Sequence, residues 1–319
     1  MKIAENYSRL GTENAFLILA KAKKLESEGK EIINLGIGQP DFLTPKHIVE
    51  AAKKALDDGH HGYTPANGTI ELREGVSKHI KKMYGAEIGS ERVFIAPGGK
   101  PSMFFAIMLF GQPGVEIIYP EPGFPIYESV INYSGAQAVP MYLSEEKNFS
   151  FNADEVLNLI SEKTRLLIIN NPQNPTGGLI EKNEIDKLAK GLKKFPNVAI
   201  FSDEIYSRQI YDGKRMPSFF YYPELFDRLI VMDGWSKTYA MTGWRLGWSV
   251  WPKNLIENVT KMAINSYSCV SAANQVAALA ALEGSHEFIK DMMKKFDKRR
   301  NLIVEGLNAI PGIKCNKPG

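Results

Sequence analysis

The sequence predicts an α/β fold of βα units around a mostly parallel sheet. Two observations carry this. From Arg92 onward, short apolar runs (Val93–Ala96, Val115–Tyr119, Ala138–Tyr142, Leu166–Asn170, Val198–Ser202, Leu229–Met232) alternate with amphipathic segments (Pro101–Phe110, Phe124–Tyr133, Ala153–Ser161, Lys182–Lys193). Such alternation marks βα units. The runs are also apolar at successive positions, as strands buried on both faces require.

The flanking segments follow from periodicity and punctuation. Thr12 to Lys30 reads as a helix, with Thr12 as its N-cap and Gly29 near its stop. Glu31–Leu35 reads as a short strand. Pro45–Leu56 and Thr69–Tyr84 carry apolar residues at helical spacing, and long helices are expected from Leu255 onward. The basic stretch Lys294, Lys295, Lys298, Arg299 and Arg300, interleaved with Phe296, reads as the wet face of one of these helices.

Composition narrows the function classes. The chain has 319 residues, 44% hydrophobic and 24% charged, which is globular composition with ample length for two domains. A net charge of +3 gives no argument for nucleic acid or an acidic surface. Two distant cysteines, Cys269 and Cys315, make neither a disulfide framework nor a metal site, so a cytoplasmic setting is expected. The polar start, Met1 to Leu10, lacks the apolar core of a signal peptide. Phe104 to Phe110, the longest apolar run, is too short to span a bilayer.

In open α/β sheets, ligands sit beyond the carboxyl ends of the strands. Five runs are followed there by chemically distinctive residues: Pro97-Gly98-Gly99-Lys100-Pro101, Pro120-Glu121-Pro122-Gly123-Phe124, Asn171-Pro172-Gln173-Asn174-Pro175-Thr176-Gly177, Asp203-Glu204-Ile205-Tyr206 and Asp233-Gly234-Trp235-Ser236-Lys237. Gly98 and Gly99 before a helix, with Pro101 at its expected first position, make either a plain turn or an anion site built from backbone N–H groups. There is no dinucleotide fingerprint, because Gly36-Ile37-Gly38 runs into Gln39-Pro40, which spoils the third glycine and the helix start, and no Walker loop, because Ser236-Lys237-Thr238 lacks the spaced glycines. Lys237 is either one more surface lysine or, at a cleft, a partly desolvated amine able to form a Schiff base. Arg245 offers a planar fork to a phosphate or to a structural partner. Asp203 is a loop-start aspartate or the partner of a pyridine nitrogen. Asn174 and Tyr206 either serve turn and core or donate to a ring phenolate, and Phe124 either packs or stacks on that ring.

Taken in order, Asn174-Pro175-Thr176-Gly177, Ser202-Asp203-Glu204-Ile205-Tyr206, and Ser236-Lys237-Thr238 continuing into Met241-Thr242-Gly243-Trp244-Arg245-Leu246-Gly247 resemble the class I/II aminotransferases, pyridoxal 5'-phosphate enzymes of fold type I. Gly36-Ile37-Gly38-Gln39-Pro40-Asp41-Phe42 and Gly62-Tyr63-Thr64-Pro65-Ala66-Asn67-Gly68 extend the resemblance towards the N-terminus. It implies that Lys237 forms the Schiff base, Asp203 holds the pyridine nitrogen, Asn174 and Tyr206 bond the phenolic oxygen, and Phe124 stacks on the ring. It implies phosphate contacts from Gly99, Lys100, Ser236 and Arg245. Tyr63 would reach the phosphate of a neighbouring subunit in a homodimer with shared sites. Ile37, Gly38 and Asn174 would face the substrate. The reaction implied is ping-pong transfer of an amino group from an L-amino acid (aspartate-like, alanine or aromatic) to a 2-oxo acid such as 2-oxoglutarate, with the freed Lys237 moving the α-proton.

The resemblance also implies a large three-layer α/β/α domain with a mostly parallel sheet and a smaller, incomplete α+β domain, in three parts: residues 1–44 as an N-terminal helix and small-domain segment, 45–284 as the large cofactor domain, and 285–319 as the start of a C-terminal small domain. It leads one to expect more small domain after Gly319, including an arginine for the substrate α-carboxylate, so a partial chain is expected. Two departures bear on substrate. Gly234 stands where many relatives have serine. In Thr12-Glu13-Asn14-Ala15-Phe16, Glu13 would repel a dicarboxylate if it pointed inward. A carbon–sulfur β-lyase on the same fold, or a cofactor-binding fragment without turnover, are the alternatives.

Overall fold

The structure is a computed structural model that describes residues 1–319, the side chain of Phe16 excepted. Seven strands form one mixed sheet: β1 (Val93–Ala96), β2 (Glu116–Glu121), β3 (Gln137–Tyr142), β4 (Thr164–Asn170), β5 (Ala199–Asp203), β6 (Leu229–Gly234) and β7 (Gly247–Val250), in the order β1-β7-β6-β5-β4-β2-β3. The pairs from β6 through β5, β4 and β2 to β3 are parallel, and β7 is antiparallel to both of its neighbours. The helices are α1 (Asn14–Ser27), α2 (Lys46–Asp57), α3 (Ile70–Tyr84), α4 (Lys100–Phe110), α5 (Ile126–Ser134), α6 (Ala153–Asn158), α7 (Lys182–Leu192), α8 (Trp235–Thr238), α9 (Ile256–Ser266), α10 (Ala272–Glu283) and α11 (Glu287–Asn308).

Alternate residues of each strand feed opposite cores. Ile95, Ile118, Leu167, Ile169, Ile200 and Val231 pack beneath α2, α3, α6, α7 and α10. Phe94, Ile117, Leu166, Ile168, Phe201 and Ile230 pack beneath α4, α5 and α9. Both sets of side chains are fully buried, which is why the runs are apolar at every position. This is the expected three-layer α/β/α arrangement.

Four local expectations need correction. Residues Glu31–Leu35 form no strand, and Ile33 and Leu35 are 86% and 87% exposed. An apolar run becomes a strand only when a neighbour takes its backbone hydrogen bonds, and none lies beside it. Thr12 does not cap α1. The cap position falls to Glu13, which makes no side-chain cap bond because its carboxylate is turned towards Lys100. Pro101 occupies the second position of α4, after Lys100. Arg300 is buried rather than wet, held by Asp212 and Asp297 and stacked 4.0 Å over the Tyr211 ring. The seventh strand, β7, was not anticipated: it is four residues long and breaks the βα alternation.

The loop entering α3 is pinned against β1 at Gly68, whose φ is +97° and where a Cβ would stand 2.7 Å from Ile95 Cβ. Gly59 has a similar φ of +86° and open space around it. Gly59→Ala therefore meets only the left-handed backbone cost of about 1–2 kcal/mol, whereas Gly68→Ala adds an overpacking cost of about 1–3 kcal/mol. Urea unfolding of the two variants should show Gly68→Ala to be the less stable.

Candidate active site at the carboxyl edge of the sheet

The strand register gathers the distinctive residues. Asn170 at the end of β4 pairs with Asp203 at the end of β5, and Asp203 pairs with Met232 of β6. Gly234 ends β6 opposite Gly247, and Gly247 lies opposite Ala96 at the end of β1. Because β7 runs antiparallel, its first residue sits at the edge where its neighbours end. The chain between β6 and β7, with Lys237 on α8 and Arg245 just before β7, is thus confined to that edge.

Asp203 is buried. Its Oδ2 accepts from the Tyr127 hydroxyl at 2.6 Å and its Oδ1 from the Ile205 N–H at 3.2 Å. Burial raises its pKa to about 6, against the lowering effect of those donors and of Lys237. Asn174 is placed by its N–H, which donates to Asn170 Oδ1 at 2.8 Å, while its Nδ2 donates to the Tyr206 hydroxyl at 3.3 Å. Asn170 itself donates to the Asp203 carbonyl at 3.2 Å, locking these strand ends together. The Lys237 ammonium lies 5.9 Å from the Tyr206 ring centre and donates to the Gly38 carbonyl. Burial is the largest influence lowering its pKa, with Arg245 and Lys100 adding repulsion and Glu13 and Asp203 opposing it.

On the other side, Gly98 (φ +93°) leads through Gly99 into α4. A Cβ on Gly98 would lie 2.9 Å from the Arg245 guanidinium carbon, and one on Gly99 2.6 Å from Met232 Sδ. Only glycines let the helix N-terminus close on Arg245 and β6. Arg245 has left-handed backbone (φ 55°) and donates to the carbonyls of Thr242 (2.7 Å) and Pro97 (3.3 Å). Phe124, edge-on to Tyr127, carries the Lys100 ammonium 5.3 Å from its ring centre, and Lys100 pairs with Glu13 at 2.6 Å.

Family and structural comparisons bear on this constellation. The family described as aminotransferase class I and II matches residues 30–319. The chain belongs to this family. The aspartate aminotransferase of Sulfurisphaera tokodaii is 40% identical over 296 residues, covering 92% of this chain and 73% of its own. The aspartate aminotransferase structure from Rhizobium meliloti superposes with a TM-score of 0.94 at 33% identity, covering 100% of this chain and 80% of its own. An aromatic aminotransferase structure from Pyrococcus horikoshii gives 0.86 at 36%, covering 94% and 80%. This aminotransferase is thus a transaminase of fold type I, as its motifs led one to expect.

Of the residues singled out in the sequence, Asp203, Asn174, Tyr206, Lys237, Gly38, Phe124, Gly99, Lys100 and Arg245 come together at one edge. Ser236 is buried beside Lys237, and Ile37 is half-buried next to Gly38. Tyr63 stands apart, 93% exposed. Sequence reasoning missed Tyr127 and Asn170. Tyr127 lies three residues after Phe124, and that spacing was the available signal. For Asn170 only the fold reveals its role.

Behind the site lie two more buried acids. Glu204 Oε1 accepts from Ser202 (2.9 Å) and the Phe219 N–H (3.2 Å), while its Oε2 is buried without a partner. Asp233 accepts from Ser207 and the Gly234 N–H, both at 2.6 Å. Burial raises Glu204 to about 7 and Asp233 to about 8. The unfolded chain loses these protons near pH 4, so the stability linked to them is complete below that and drains away as pH rises to 7 and 8. Folding stability should fall from about pH 5 to pH 8, by at most about 1.4 kcal/mol per pH unit per group. Glu204→Gln and Asp233→Asn should each flatten the slope of urea midpoint against pH.

Proposed function

We propose that this aminotransferase uses pyridoxal 5'-phosphate to move the amino group of an L-amino acid to a 2-oxo acid such as 2-oxoglutarate. The observation that carries this reading is the meeting of a half-buried Lys237 amine with a buried Asp203 carboxylate, beside the α4 N-terminus and Arg245. The donor set fits the cofactor. The glycine-only approach of the α4 N-terminus to Arg245 suits a phosphate dianion. A buried carboxylate suits a pyridinium nitrogen, and an amide and a phenol side by side suit a phenolate oxygen.

When bound, the cofactor supplies an aldehyde that condenses with amines and a ring that withdraws electrons from the substrate α-carbon. The residues do the rest. Gly99 and Lys100 at the start of α4, together with Ser236 and Arg245, would hold the phosphate. Asp203, kept in place by Tyr127 and Ile205, would keep the ring nitrogen protonated. Asn174 and Tyr206 would bond the phenolic oxygen, and Phe124 would cover the ring. Lys237 would hold the aldehyde carbon and, once released by substrate, carry the α-proton. Its lowered pKa favours the neutral amine that both tasks need. Ile37, Gly38 and Asn174 would face the substrate. The two free cysteines suit a reducing cytoplasm.

A second copy of the chain would complete the site. Leu17, Ile18, Ile33, Leu35 and Leu43 are exposed near the N-terminus, an apolar surface that a partner would cover. Tyr63, exposed and outside its own site, would reach the partner's phosphate. Sedimentation should give a dimer, and Leu35→Glu should shift it towards monomer.

Absorbance of the protein with added cofactor tests the chemistry. A band that Lys237→Ala abolishes, and that a donor amino acid bleaches, is expected; no band in the unsubstituted chain would refute the reading. Asp203→Asn should keep a band but lower the rate of amino transfer by about 10²–10⁴-fold, the size of a lost acid–base contribution.

A further inference from the structure

Two neighbouring strand ends carry the two halves of the site. Asp203 closes β5, with Tyr206 just beyond it, and Lys237 lies on α8 beyond β6. The ladder between β5 and β6 ends where Asp203 pairs with Met232 and the Glu204 N–H donates to the Met232 carbonyl at 2.8 Å. Past that point the two backbones part, and the reach of Lys237 towards Asp203 and Tyr206 depends on what spans the gap.

Two side chains span it, both from the loop after β5. Ser207 donates to Asp233 Oδ2 at 2.6 Å, and Asp233 Oδ1 accepts from the Gly234 N–H at 2.6 Å, immediately before α8. Gln209 Nε2 donates to the Lys237 carbonyl at 3.2 Å, one of the carbonyls that a helix end leaves without an internal partner. Both donors are themselves held. The Ser207 N–H donates to the Glu204 carbonyl and the Gln209 N–H to the Tyr206 carbonyl, each at 2.8 Å, so consecutive turns fix Tyr206, Ser207 and Gln209 as a unit. Ser207 and Asp233 are buried, where hydrogen bonds hold geometry most firmly. α8 needs this support: it has four residues, too few for a helix to hold its own shape, and the lysine stem is flexible.

We infer that Ser207 and Gln209 are positioning residues for Lys237: they bracket α8 from both ends and fix where its amine stands relative to Asp203 and Tyr206. The inference deepens the functional reading above and rests on it, because the amine and the ring-holding side chains must meet one bound cofactor. Neither side chain touches the reacting atoms. Each acts through the backbone on either side of the lysine, one at Gly234 and one at the Lys237 carbonyl itself.

The test reads the amine before the reaction. In the cofactor-free protein the Lys237 amine is faced by Asp203 of β5, Glu13 ahead of α1, Lys100 of α4 and Arg245 ahead of β7, and burial is the largest influence lowering its pKa. Slackening α8 admits water, so the pKa should rise towards that of an ordinary lysine. Acetic anhydride labelling across pH, with Lys237 followed by peptide mass spectrometry, gives the titration midpoint in the unsubstituted chain, Ser207→Ala and Gln209→Met. A rise of about half a pH unit or more is expected in both variants. Gln209 is only half-buried, so its isosteric variant keeps the test open should Ser207→Ala fold poorly. In the cofactor-loaded protein, kcat should fall by about tenfold with KM within about threefold, as misplacement of a reacting group predicts. A merely structural role would lower the yield of folded protein and leave the midpoint in place. A midpoint that stays put in Gln209→Met, with the cofactor band present, overturns the inference alone. Absence of any band in the unsubstituted chain overturns the functional reading and the positioning role with it.

Discussion

One close approach organises this molecule. Gly247, the first residue of β7, presses against the turn after β1, where a Cβ would lie 2.6 Å from the Gly98 carbonyl oxygen and 2.8 Å from the Gly99 nitrogen. That contact seats β7 between β6 and β1 and fixes the α4 N-terminus against Arg245. With β7 antiparallel, the link from β6 must turn back on the same edge. The amine of Lys237, the guanidinium of Arg245 and the helix N-terminus therefore share one cleft, although some 150 residues of chain separate the earliest of them from the latest. No side chain larger than hydrogen is compatible with that packing.

The electrostatics follow from this geometry. The strand ends carry acids in sequence, and successive residues point to opposite sides. Asp203 faces the cleft with Tyr127, while Glu204 and Asp233 are turned into the other core. All three are desolvated, but only the first has a cation within its field to lower its pKa. Asp203 at the cleft thus rises to about 6, and Glu204 and Asp233 behind it to about 7 and about 8. Asp233 holds Ser207 and Gly234, just before α8, while Glu204 holds Ser202 and the Phe219 N–H, at a cost in stability that grows with pH.

Cations and anions balance at the mouth as well. Lys100 opens α4, and its ammonium meets the Glu13 carboxylate while lying over the Phe124 ring. The pairing depends on residues 87 positions apart, brought together because α1 leaves its N-terminus beside α4.

The sequence by itself determined the fold class and which distinctive residues gather at the carboxyl edge of the sheet. Strands buried on both faces must be apolar throughout, and the residues that follow them must lie at one edge, so Lys237, Asp203, Asn174, Tyr206 and Gly99 were legible as a group. What the sequence could not determine was anything resting on a neighbour distant along the chain. Glu31–Leu35 has the composition of a strand but no strand to pair with. The four residues of β7 have too little pattern to be read yet find partners on both sides. Arg300 belongs to a basic run and is buried because Tyr211 and Asp212 meet it. Tyr127 reads as helix filler until the Asp203 carboxylate is placed 2.6 Å from its hydroxyl. Glu13 could be named from the sequence, but only tertiary structure shows that it points inward onto Lys100. Periodicity records which face of an element is buried; it holds no record of which other element buries it.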